Sequence, residues 1–157
     1  MLMSLKLTLI LFRIHGDDPK LVFCNGIVLH KNQVRSSFGD WFNGILELSR
    51  NLHQIELDVS AFSCLAALSL VYERHGLTEP KKAENLKAKL INTLRDHVTF
   101  HPEAQRKPQY LSRILDRLPQ LRSLSVQALQ RIFYLKLEGL VPAPPQIERM
   151  FASSIPF

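Results

Sequence analysis

Apolar residues recur through positions 118–140, LPQLRSLSVQALQRIFYLKLEGL, with the period of an α-helix. At about 100° per residue, Leu121, Leu124, Ala128, Ile132 and Leu135 share one flank. Leu118, Val126, Leu129, Phe133, Leu137 and Leu140 share the adjacent one. The two flanks together span roughly 220°, against about 100° for an ordinary surface helix. Gln120, Ser123, Gln127, Gln130, Arg131 and Glu138 make up the polar remainder. Such a helix either lies inside one large core, or buries one flank at home and offers the other to a second chain. The pattern alone leaves both open.

The preceding segments are organised around it. LKLTLILFRI is apolar on every side, through Leu5, Leu7, Leu9, Ile10, Leu11, Phe12 and Ile14, and belongs in the middle of something. It has one early Lys, lacks a small-residue cleavage site before HGDD, and is too short to span a bilayer. In KLVFCNGIVLH, β-type runs flank Asn25 and Gly26, which tolerate positive φ and predict a hairpin that needs helices to pack on. Asp40 is the expected N-cap of WFNGILELSRNLHQI, where Trp41, Ile45, Leu48 and Leu52 share a face. Asp58 is expected to cap VSAFSCLAALSLVYERH and Gly76 to close it. Phe62, Cys64, Leu65, Ala67, Leu68, Leu70 and Val71 leave that helix no polar face. After Thr78 and Glu79, Pro80 opens a one-sided helix with Ala83, Leu86, Leu90, Leu94 and Val98 inward. Lys81, Lys82, Lys87, Lys89 and Arg95 are expected in water. HPEAQRKPQ reads as a polar break. Tyr110, Leu111, Ile114 and Leu115 then lead into the long helix, which Pro119 kinks or splits. VPAPP is a stiff spacer before a short amphipathic tail, QIERMFASSIPF. The expected class is all-α with one small β-hairpin.

Composition narrows the function classes. The chain has 157 residues, 46% hydrophobic and 22% charged, enough for one domain with a real core. Its net charge is +6, but Lys and Arg are scattered, with short runs only at Lys81, Lys82 and at Arg106, Lys107. That scatter marks a solvated helical surface rather than a nucleic-acid arm. Cys24 and Cys64 lie far apart with no CxxC partner, so thiolates cannot build a zinc site, and both read as small buried hydrophobes. The chain contains no GxGxxG, GxxxxGK[ST], HExxH or GxSxG. His97 and His101, spaced i,i+4 with Glu103 behind, are the nearest approach to a metal site, but no third ligand is evident and a solvated helix end is the commoner meaning. Glu73, Arg74 and His75 read as a structural ion pair or cap. No catalysis, cofactor or metal is expected.

FGDWFNGILELSRNLH, DVSAFSCLAALSLVYERHGLTEPKK, LQRIFYLKLEGLVPAPPQIERMF and the terminal IPF together resemble the Nur-related orphan nuclear receptors, the insect and other arthropod members most of all. KLVFCNGIVLH is similar to the β-turn between their helices 5 and 6. The likeness runs from about Leu5 to Phe157. It implies the helical sandwich of a nuclear receptor ligand-binding domain over residues 1–157, entered inside helix 5. Helices 1 to 4 and the two-zinc DNA-binding domain lie outside the resemblance, so DNA would be reached only through a domain not in this chain.

The resemblance also implies a nuclear, ligand-independent transcription factor, a dimerisation and co-regulator module without catalysis. A retinoid X receptor or ultraspiracle-like receptor is the implied partner, a homodimer the alternative, with transcriptional co-regulators besides and no membrane. The implied dimer surface takes in Leu111, Ile114, Leu118, Pro119, Leu121, Arg122, Leu124, Gln127 and Leu129. The implied activation helix takes in Ile147, Glu148, Met150, Phe151, Ile155 and Phe157. Ser153 and Gly139 stand where relatives carry acids, and Ser125 where some carry cysteine. Gly139 is expected to loosen the end of the long helix. Other readings of the residues are a truncated piece that needs a partner to fold, and a small-molecule-responsive receptor domain.

Overall fold

A computed structural model describes residues 20–22, 28–30, 39–72, 78–139 and 145. Among them, β1 (Lys20–Val22) and β2 (Val28–His30) form an antiparallel pair, with Lys20 opposite His30 and Val22 opposite Val28. The expected hairpin is present, although Cys24, Asn25 and Gly26 lie outside the described residues. So do the apolar N-terminal segment, Glu73, Arg74, His75 and Gly76, and residues 146–157.

The helices follow in order. They are α1 (Gly39–Ile55), α2 (Val59–Val71), α3 (Pro80–Phe100), the single turn α4 (Pro102–Gln105), α5 (Tyr110–Leu115) and α6 (Arg117–Leu137). The most extensive packing joins α2 to α3, and α6 lies against α1 and α2. Phe42, Ile45, Leu48, Leu65, Leu68, Leu94, Tyr110, Ile114 and Leu121 are buried to below 2% exposure and form one continuous core. Each contributes about 1.5–3 kcal/mol from apolar burial. Gly44 sets the approach of α1 to α6, since a Cβ there would lie 2.7 Å from Leu124 Cδ2. Beside it, Trp41 Nε1 donates to the Leu124 carbonyl at 3.0 Å.

Several expectations need correction. Asp40 sits inside the first turn of α1 rather than at its N-cap, where its charge still complements the helix dipole. Helix α2 ends at Val71, ahead of Gly76, because Tyr72 turns to extended backbone (ψ 125°). The stretch around HPEAQ is not merely a polar break, since it contains α4, whose Ala104 is fully buried. Leu86, expected inward, is 47% exposed. Lys87, expected in water, has a side chain only 19% exposed, with its ammonium 5.1 Å from the Tyr72 ring centroid.

The long helix is split, as Pro119 allows, with the break at Asp116. Pro119 is then the third residue of α6, where its missing N–H would have had no intrahelical partner. At the far end Gly139 adopts φ +69° and bonds back to the Lys136 carbonyl at 3.0 Å. Glycine takes this left-handed conformation without the steric cost a Cβ would bring, and so ends the helix.

Candidate docking face and the polar clasp behind it

Asp58 is the residue on which four elements meet. It precedes α2 in extended backbone and its Oδ1 accepts the Ala61 N–H at 2.8 Å, a true N-cap. Its Oδ2 lies 2.9 Å from His97 Nε2 on α3 and 3.2 Å from the Tyr110 hydroxyl on α5. That hydroxyl also accepts the Asp58 backbone N–H at 3.2 Å, with the Glu56 carbonyl 3.4 Å away. Lys107 donates to the same carbonyl and holds its ammonium 4.8 Å from the Tyr110 ring centroid. Arg113 Nη2 donates to the Gln54 carbonyl at the end of α1, at 2.9 Å. To place its carbonyl there, Glu56 takes φ +53°, and Gln109 takes φ +52° to start α5.

The electrostatics follow from this geometry. Burial works against the charge on Asp58, but the hydrogen bonds from His97, Ala61 and Tyr110 outweigh it and hold the carboxyl below its usual 3.8. Burial, aided by the carboxylate beside it, pushes the Tyr110 phenol up to about 12. Burial likewise raises the Cys64 thiol, which suits a packing role rather than a nucleophilic one. His97 and His101 do share a face, their ring centroids 4.8 Å apart, but His97 is engaged by Asp58. Among the described residues no group of three or more His, Cys, Asp or Glu is placed to hold a metal.

The opposite side of the long helix carries the candidate docking face. On α6, Leu118, Leu121, Leu124, Ser125, Ala128 and Leu135 are buried. Val126 is 43% exposed and Leu137 69% exposed, with Tyr134 beside them at 49%. The wide apolar arc is therefore divided, one flank in the core and part of the other in solvent. Tyr134 has the Arg131 guanidinium 5.1 Å from its ring, and its bond to Glu138 raises its phenol above the usual value. Tyr72, Pro119, Arg122, Ser123, Val126, Gln127 and Gln130 line an open groove of about 460 Å³ along this face.

The expected interface residues separate accordingly. Pro119, Arg122 and Gln127 line the groove, and Leu111 and Leu129 are half-buried. Ile114, Leu118, Leu121 and Leu124 are 0–5% exposed. They face the molecule's own core in the single chain. Ile147, Glu148, Met150, Phe151, Ile155 and Phe157 lie outside the described residues. Tyr72, Ser123, Val126 and Gln130 line the groove as well, outside the expected interface set. Tyr72 gives no local signal, since it enters the groove only because α2 stops one residue before it. Among the described residues no helix is long and apolar enough to cross a membrane.

Comparison with known proteins bears on this arrangement. Residues 9–138 match the ligand-binding domain of nuclear hormone receptor. The chain is 62% identical over 93% of its length to the probable nuclear hormone receptor HR38 of Drosophila melanogaster, and covers 14% of that protein. It is 51% identical over 93% of its length to nuclear receptor subfamily 4 group A member 2 of Xenopus tropicalis, and covers 25% of that protein. The HR38 relative of Bombyx mori is 49% identical, with 41% of its length covered. Members of this family are transcription factors and not enzymes. A split helix with a buried flank, a core of stacked helices and these matches lead to one assignment: the chain belongs to the nuclear hormone receptors of the HR38 and subfamily 4 group A type, and what it contains is ligand-binding-domain sequence.

Proposed function

We propose that this chain is the regulatory module of a nuclear transcription factor that acts by docking a second receptor along the outer face of α6. The observation that carries the reading is the divided arc of that helix, with Leu121, Leu124 and Ala128 buried and Val126 and Leu137 left in solvent. Exposed apolar side chains aligned on a regular helix favour a protein partner over a small ligand. The partner is a receptor of the retinoid X or ultraspiracle kind, in keeping with the family. The module works without a bound small molecule, and its C-terminal tail, through Ile147, Met150 and Phe151, engages co-regulators.

Sedimentation of the chain with the retinoid X receptor ligand-binding domain tests the docking. Val126→Asp places a charge on the exposed stripe. It should weaken the complex by about tenfold or more while leaving the melting temperature nearly unchanged. Equal affinity for the variant and the parent chain would remove α6 as the docking face. Ligand independence is tested separately, by melting across a panel of lipids and retinoids. A bound ligand raises the melting temperature by mass action, so no shift is expected.

A further inference from the structure

We draw no further inference here: the strongest candidate, the solvent-facing apolar pair of Val59 at the start of α2 and Phe100 at the end of α3, 78% and 76% exposed beside the Asp58–His97 bond, carries nothing because nothing among the described residues shows what covers it.

Discussion

At the Asp58 clasp, polar atoms are turned inward. A carboxylate, an imidazole, a phenol and three backbone groups satisfy one another where α1, α2, α3 and α5 meet. Along the outer face of α6, apolar atoms are turned outward, and Val126 and Leu137 stand in water. Each region reverses the usual placement of its residue types. The clasp can do so because every buried polar atom finds a partner inside the chain, so its energy is spent on folding. The α6 face leaves apolar surface unpaired, so its energy is available to something else. Variants in the clasp should therefore change stability and leave partner affinity alone, and variants on α6 should do the reverse.

The largest expected effect tests the clasp. Tyr110 is 1% exposed and fills the junction of α5 with the core while its hydroxyl serves Asp58. Tyr110→Ala should lower the unfolding free energy by about 3–5 kcal/mol, the usual range for removing a buried aromatic ring. Tyr110→Phe keeps the ring and leaves the Asp58 N–H without its acceptor, so about 1–2 kcal/mol should be lost. Urea denaturation measures both. Alkali gives a related check. A phenol raised to about 12 in the fold keeps its stabilising contribution below its unfolded value of 10, and loses it as pH climbs through about 12. Phenolate absorbance should therefore rise in step with loss of helix; a Tyr110 that ionises near 10 in the folded chain contradicts the burial argument.

A smaller effect separates charge from capping. Asp58→Asn retains a side chain able to cap α2 but gives up the charge that faces His97 and Tyr110. At neutral pH it should cost about 1–2 kcal/mol. The folded carboxyl titrates below its ordinary 3.8, so the stability it confers is complete above that value and is lost as pH falls through the folded pKa. The gap between Asp58→Asn and the parent chain should therefore narrow with acid. A gap of constant width would mean that the carboxylate charge is not what the clasp uses.

Half of this clasp is legible in the amino-acid string. Asp58, just ahead of an apolar run, announces itself as a cap, because capping is local and reaches only three residues, to Ala61. Its bonds to His97 and Tyr110 cross 39 and 52 positions, and no local pattern encodes them. One signal was there to use: His97 lies three residues after Leu94 and next to Val98, on the inward stripe of α3, which argues against a solvated histidine. Lys87 was misplaced for a similar reason, because its ammonium packs on Tyr72, fifteen residues earlier and in another element. The helical class, the hairpin and the two flanks of the long helix were readable because each depends on spacing alone. The inward turn of Ile114, Leu118, Leu121 and Leu124 was not. Which of two equally apolar flanks is buried depends on what the other helices bring to it, here Gly44 and Trp41 of α1.

The smallest expected change in stability carries the sharpest test of the comparison. Leu137 ends α6 with 69% of its surface in water, so Leu137→Ser removes little that the folded chain has buried. Its effect on unfolding should stay within about 0.5 kcal/mol, the range of ordinary surface substitutions. The affinity for a receptor partner should nonetheless fall by about fivefold or more, because an apolar side chain without cover in the single chain is one that a complex can desiccate. A stability loss above about 1 kcal/mol would place Leu137 under cover from its own chain, and the outer flank of α6 would then belong with the clasp, as part of the fold rather than a face held open for another molecule.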